Sequence, residues 1–248
     1  METIDALYCD VDDFNQQFYP EWEHQQLDSG EKKCRKKGVM TPSEIMTIII
    51  FFHQSSYKDF KNYYLGHIHQ YRRKEFPILL SYTRFISVMP RVLIPLCAYF
   101  GLCKGKPTGI AFVDSTKIKV CHNIRIPKHK VFAGIAARGK SSMGWFYGFK
   151  LHLIINHKGE ILALKLTAGN VDDRKPVMQM IAGLSGKLYA DKGYLSKALG
   201  EKAFEKGVEL ITNVRKNMTA KALSLWDKIM LRKRFIIETV NDQLKSIS

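Results

Sequence analysis

Cysteine is scarce in this chain and oddly numbered. There are five in 248 residues (Cys9, Cys34, Cys97, Cys103 and Cys121), and no two form a Cys-x-x-Cys pair. An odd count without zinc spacing argues against a disulfide framework and against a structural zinc site. Cys121 and His122 with His129 lack a fourth ligand at a usable distance along the chain. Long apolar runs are missing as well: the run around Ile48 to Phe52 is far short of the roughly 20 residues that a membrane span needs. The opening stretch METIDALYCDVDDF is acidic where a signal peptide would be basic and then apolar. The expectation is therefore no membrane and a cytoplasmic location. Internal repeats and low-complexity segments are absent from the sequence. Acid is in deficit too, with 23 Asp and Glu against 39 Lys and Arg, a formal charge of +16. A surplus that large points to a polyanionic partner, either nucleic acid or an anionic surface.

What is present divides into two textures. Apolar residues make up 46% of the chain, enough for a real core. Residues 1–105 read as a helical N-terminal domain. Phe14, Phe18 and Trp22 recur at a spacing of four within a helix over 13–26. Thr41-Pro42-Ser43-Glu44 is a helix start, with Thr41 as cap, Pro42 at the first helical position and Glu44 closing a capping box. The helix it opens runs through IMTIIIFF, too apolar for a surface. Ser81 opens another, interrupted near Pro90 and Pro95. Short helices with an Arg-bearing start leave two readings open here, a helix-turn-helix that contacts DNA and a plain helical bundle.

Turn residues cluster at Lys104-Gly105-Lys106-Pro107 and mark the boundary. From 106 to 248 the order reads as three strands, helix, strand, helix, strand, helix. The strands are Ile110 to Asp114, Trp145 to Asn156, Ile161 to Thr167, Lys187 to Asp191 and Val208 to Val214. The loop His157-Lys158-Gly159-Glu160 joins the second and third as a hairpin. Helices are expected over Asp172 to Leu184, Ser196 to Lys206 and, longest, Trp226 to Lys245. That order predicts an α/β domain, an RNase H-like mixed sheet flanked by helices.

Three carboxylates stand out within this frame. Asp114 is read as ending the first strand and Asp191 the fourth, and strand ends of a layered α/β fold meet at one rim, where ligands bind. Glu238 lies midway along the last helix. At about 100° per residue, Arg234, Glu238, Asn241 and Lys245 share a narrow stripe. Trp226, Ile229, Ile236, Ile237, Val240 and Leu244 form a separate, core-facing arc. Lys233 falls inside the apolar arc and would have to snorkel. Magnesium takes hard oxygen ligands, usually carboxylates with water and phosphate. Asp172 and Asp173 read as helix-start acids meeting the positive dipole end. The long connection 121–144 carries Arg125, Lys128, Lys130, Arg138 and Lys140, which suit phosphate contacts that add affinity without reading sequence.

These residues together carry a resemblance. FVDST, LYADKGY and the spacing Arg234-x3-Glu238-x6-Lys245 resemble the DDE catalytic triad of bacterial insertion-sequence transposases, in the branch with a Tyr-Arg-Glu-Lys signature. GNVDDRKP, HNIRIPKHKVF and RGKSSMGWFYGFKLH are similar to the insertion-sequence group numbered nine-eight-two, over nearly the whole chain from CDVDDF to QLKSIS. The signature's Tyr position holds Leu231. The chain ends ten residues after Glu238, and the resemblance implies a shortened C-terminal end. It further implies Asp114, Asp191 and Glu238 as catalytic metal ligands for two Mg2+ ions, with Mn2+ as substitute. Arg234 and Lys245 would contact the DNA backbone. The implied partners are double-stranded DNA, as transposon ends and target, and a second copy of the chain. Two alternatives fit the same charge: a stand-alone nuclease of this fold, and a DNA-binding remnant without catalysis.

Overall fold

A computed structural model describes residues 3–28, 38–141, 144–213 and 223–246. The chain divides into two compact units, 1–103 and 104–246.

The first unit is helical. Helix α1 (Ile4–Asp28) buries Ile4, Leu7 and Val11, one face of a helix, so the early Asp-x-Asp segment is helical surface. Asp10 accepts a hydrogen bond from the Tyr99 hydroxyl, and Asp12 accepts one from Gln16. Helix α2 (Pro42–Gln54) starts as the sequence indicates: the Glu44 amide donates to Thr41 Oγ1 and the Thr41 amide to Glu44. Ile45, Met46 and Ile48 then enter the core with Tyr63, Tyr64, Ile68 and Phe85. Residues Tyr63–Ile68 form a π-helical segment. Ser81 caps α3 (Tyr82–Val88), a 3-10 turn at Met89–Val92 carries Pro90, and α4 (Leu93–Leu102) follows with Pro95 in its first turn. By length and composition alone, the continuous helical stretch Tyr82–Leu102 is apolar enough to cross a membrane, which corrects the expectation that every apolar run falls far short of that length. Phe85, Val88 and Val92 spend one face of it on the unit's core.

The second unit is a six-stranded sheet: β1 (Ile110–Cys121), β2 (Ala137–Ser141), β3 (Gly144–Asn156), β4 (Ile161–Ala168), β5 (Gly186–Ala190) and β6 (Val208–Thr212). Strand β3 is antiparallel to β1 along one edge. On its other edge it pairs with β2 over its first residues and with β4 over the rest. Strands β5 and β6 extend the sheet beyond β1 in parallel. Three antiparallel strands followed by two parallel ones, with apolar clusters on both faces, make the RNase H-like layer arrangement. The change of partner along β3 needs glycine. A Cβ on Gly148, at φ +154°, would lie 2.0 Å from the Ile118 carbonyl oxygen, and one on Gly169 would lie 2.7 Å from that of Ala137. Asn156 fixes the β3–β4 turn, its side-chain Oδ1 accepting the amides of Lys158 and Glu160.

Four expectations are corrected. Strand β1 does not end at Asp114 but continues to Cys121, because β3 accompanies it that far. The connection 121–144 contains a 3-10 turn at Asn123–Lys128 and the strand β2. Of the helix expected over Asp172 to Leu184 only α5 (Val177–Met180) forms, so Asp172 and Asp173 are not at a helix start. Asp172 instead accepts from the Arg174 amide and guanidinium. After α6 (Lys197–Glu205), the final helix is two, α7 (Leu225–Lys233) and α8 (Phe235–Ser246), parted at Arg234. Val214, the last residue of the strand expected over 208–214, lies outside the described residues.

The apolar arc assigned to that last stretch holds only in part: Ile236, Ile237 and Val240 pack on the sheet's apolar cluster, and the other three do not. Trp226 is 53% exposed, and Ile229 and Leu244 are exposed too. The face packed on the sheet runs through Asp227, Met230, Leu231, Ile237 and Asn241, with Arg234 between them. Lys233 lies off that face and is exposed, so it needs no snorkelling. Leu231 is an ordinary core residue beside Met230 and Ile237. Asp227 is buried because it has partners: the Tyr189 hydroxyl donates to it at 2.9 Å, Lys187 at 2.8 Å and Ser224 at 2.6 Å. The Lys187 contact, ahead of Ser224, brings its carboxyl down to about 2.

A carboxylate cleft at the edge of strand β1

The sheet opens where β1 outruns its neighbour. Val113 pairs with Ala190, the last residue of β5, and beyond that point β5 turns away while β1 continues beside β3. Asp114 and Asp191 are the next residue on each strand. They flank an open cleft of ≈350 Å³, whose lining includes Ser115, Thr116, Lys117, Lys140, Lys150, Asp173, Tyr194 and Lys245.

Asp114 lies on the sheet face that packs against α7 and α8, and α8 fixes it. Asn241 is 2% exposed, and its amide donates to Asp114 Oδ2 at 3.1 Å. Arg234, at the break between the two helices, faces the same rim. Its guanidinium reaches Asp114 Oδ1 at 3.9 Å, Asp191 Oδ1 at 3.8 Å and Glu238 Oε1 at 3.4 Å. One cation therefore gathers three carboxylates separated by 77 and 47 positions in the sequence (114, 191 and 238). The helix break allows this: with 234 as a hinge, Glu238 sits in the first turn of α8 while Arg234 stays partly buried over the sheet.

The electrostatics are unfavourable for Asp114. The Asp114 carboxyl is raised from 3.8 to about 6. Burial is the main cause. The Ser115 amide and Arg234 pull the other way, and Glu238 and Asp191 push it further up. Tyr194, buried beside them, holds its proton through burial first and then through the negative charge of Asp114.

The donors are all oxygens, three carboxylates with one desolvated and crowded by like charge. That is the chemistry a hard divalent cation relieves. Among the described residues no three His, Cys, Asp or Glu side chains stand together as a ready-made ion cage. Arg234 stands among the three acids, so the donor set suits a metal while the side-chain arrangement is the one a guanidinium selects. Asp114, Asp191 and Glu238 are the residues that would hold magnesium or manganese.

The basic residues singled out in the sequence are distributed unevenly. Lys140 and Lys245 line the cleft, Lys245 with Asp242 at 3.4 Å. Arg138 stacks on Trp145 at 5.0 Å, and Lys140 lies 5.8 Å from the same ring. Arg125, Lys128 and Lys130 are exposed and are not part of the cleft lining. The ring nitrogens of His122 and His129 accept from the backbone amides of Ile124 and Phe132. Sequence reasoning missed Lys117 and Lys150 and the partners that hold Lys150. Their signal, Lys at alternate strand positions, is indistinguishable from a solvated sheet face until the register is known.

Residues 104–248 match the family model described as a transposase DDE domain. No curated protein matches the chain. Among solved structures, the piggyBac transposase synaptic complex with hairpin DNA aligns with a TM-score of 0.41 and 9% identity, covering 77% of this chain and 46% of that one. The Mos1 strand transfer complex aligns at 0.27 and 10%, covering 92% and 85%. The Mos1 mariner paired-end complex with Mn aligns at 0.28 and 11%, covering 92% and 86%. The chain thus spans less than half the length of the piggyBac chain it matches.

Proposed function

The chain belongs to the DDE transposase domain family, and from that premise we propose that it cuts and rejoins DNA at the ends of a mobile element, with Asp114, Asp191 and Glu238 as the catalytic carboxylates. The observation that carries the reading is the convergence of those three acids on the single guanidinium of Arg234 at an open cleft. A merely structural ion pair needs one acid; a second and a third, each more than half exposed, add like charge beside the buried Asp114 and cost stability unless they serve a further charge.

Divalent ions, held by Asp114, Asp191 and Glu238, would supply Lewis acidity for an in-line displacement at phosphorus. The chain supplies the rest. Asn241 holds Asp114 Oδ2 by hydrogen bonding and so fixes the rotamer of the most buried acid. Arg234 neutralises the acids in the metal-free state and is a bidentate phosphate clamp by geometry once they are otherwise engaged. Lys245 and Lys140, on the cleft wall, suit backbone phosphates as point charges. The same reading includes double-stranded DNA as transposon end and target, Mg2+ with Mn2+ as substitute, and two copies of the chain bringing two ends together. It also includes a bacterial origin in the insertion-sequence group named above.

The test is Asp114→Asn assayed for magnesium-dependent cleavage of end-bearing duplexes and for salt-sensitive DNA binding. The expected result is loss of cleavage with binding largely retained. Equal loss of both assigns Asp114 to folding or binding and removes the catalytic role. A strand-transfer product on target DNA separates a transposase from a nuclease of the same fold.

A further inference from the structure

The segment GNVDDRKP is singled out by the sequence, and neither catalysis nor a helix start uses it. In the fold it serves Lys150. Gly169 brings the end of β4 close against β3, its amide donating to the Gly148 carbonyl at 2.9 Å. That turn presents the Val171 carbonyl and the Asp173 carboxylate to Lys150. Lys150 Nζ donates to the carbonyl at 2.9 Å and lies 3.0 Å from Asp173 Oδ1.

Lys150 differs from the other lysines at the cleft. Its side chain is only 15% exposed, yet it lines the cleft together with Lys117 and Lys140. Register explains its place: Lys150 is directly opposite Lys117 on β1 and Thr167 on β4. It therefore lies on the sheet face away from Asp114, on an interior strand, while both side chains line the cleft. An ammonium has three donors; one is engaged by the Val171 carbonyl, and Asp173 Oδ1 holds the group as an ion-pair partner at 3.0 Å. A side chain already immobilised loses little rotamer entropy when it binds an anion, unlike a freely rotating surface lysine. Lys117 is partly occupied as well, donating to Ser141 Oγ at 3.3 Å.

We propose that Lys150, positioned by Asp173 and the Val171 carbonyl, is a built anion anchor on the wall opposite the carboxylates. It takes a non-bridging oxygen of a DNA phosphodiester next to the one under attack. The inference rests on the proposed function for the identity of the anion and deepens it. Carboxylates on one wall would repel a DNA backbone, and a fixed ammonium across the cleft sets the strand's register against them. Asp173 is a positioning residue, and its negative charge keeps Lys150 from pairing with Asp114 or Asp191.

The experiment measures duplex affinity against salt with divalent ions chelated, for the whole chain and for Lys150→Met, Lys150→Arg and Asp173→Ala. One lost phosphate contact lowers the slope of log affinity against log salt by about 0.9. Lys150→Met should show that drop, equally for all sequences, whereas Lys150→Arg should keep the wild-type slope. Asp173→Ala keeps the ammonium and should keep the slope, but should lower kcat for cleavage about tenfold with little change in KM. A duplex bearing one neutral methylphosphonate beside the cleavage site provides a measurement free of folding effects: it should weaken binding by the wild-type chain and not by Lys150→Met. An unchanged slope in Lys150→Met, or equal sensitivity of both proteins to the neutral linkage, overturns the anchor. An unchanged kcat in Asp173→Ala overturns the positioning role. Because the slope is read without metal, a chain that never cleaves yet loses the 0.9 increment fails the catalytic reading and keeps the anchor.

Discussion

The two units of this chain treat their polar side chains in opposite ways. In the helical unit, charge and hydroxyl groups serve the backbone. Thr41 and Glu44 close a capping box, Asp59 accepts the Asn62 amide, Ser81 accepts that of Arg84, and Asp10 takes the Tyr99 hydroxyl. Each partner is local or complementary. In the α/β unit Asp114, at the rim of β1, is placed against its own electrostatics, half-way to protonation near pH 6 through burial and neighbouring negative charge. Carboxylates that stabilise a fold lie low in pKa, as Asp227 does at about 2. The contrast teaches where stability has been given up, and a site that costs stability is where function is to be sought.

The largest expected effect breaks the contrast at its sharpest point. Asp114→Asn should lower metal-dependent cleavage by on the order of 10³-fold, about 4 kcal/mol of barrier. The same variant should stabilise the fold at neutral pH. The sign follows from linkage. The folded pKa of Asp114, about 6, lies above its ordinary 3.8, so the folded state binds the proton more tightly. The favourable contribution is fully present below about pH 4 and is lost as pH rises through 6. With the Asp114 side chain 23% exposed, the span is at most about 3 kcal/mol. Urea unfolding of wild type against Asp114→Asn should show a gain near that size at pH 7.5 that vanishes by pH 4. A pH-independent difference would mean that Asp114 is not the destabilised group.

Next in size is Arg234→Gln, which removes the cation that the three acids share. Without it the Asp114 carboxyl should titrate above 6, as read by carbon NMR of the aspartates. Mn2+ binding, read by water-proton relaxation, should tighten about tenfold, roughly 1.4 kcal/mol, because a competing cation is gone. Weaker Mn2+ binding would show that Arg234 supports the ion site and does not compete for it. The smallest effect is the control from the other unit. Thr41→Ala should cost about 1 kcal/mol of stability, seen as a lower unfolding midpoint of the helical unit, with no change in the Asp114 titration.

Local signals survive translation into structure. The capping box at Thr41, the cap at Ser81, the hairpin at His157 to Glu160 and the short strands at Ile110 and Lys187 are each written within a few residues, and each forms. The mixed sheet with its helices was legible from element order. The turn formed by GNVDDRKP was not: Asp172 and Asp173 look like helix-start acids, but their partners are Arg174, two residues on, and Lys150 on another strand. The extension of β1 past Asp114 was hidden too, since the polar run Ser115-Thr116-Lys117 ends the apolar stretch, and only pairing with β3 makes these residues a strand.

The amino-acid sequence by itself determined which residue types meet here: an excess of lysine and arginine, a carboxylate after each of two apolar strands, and an Arg, a Glu and a Lys at helical spacing. Tertiary structure alone decided which face of the last helices turns inward. Periodicity favours the apolar arc through Trp226 and Ile229, yet the buried face carries Asp227, Arg234 and Asn241. The reason is desolvation: a polar side chain is buried only where a partner awaits it. Those partners, Tyr189 and Lys187 for Asp227, the three acids for Arg234 and Asp114 for Asn241, come almost entirely from strands distant in sequence.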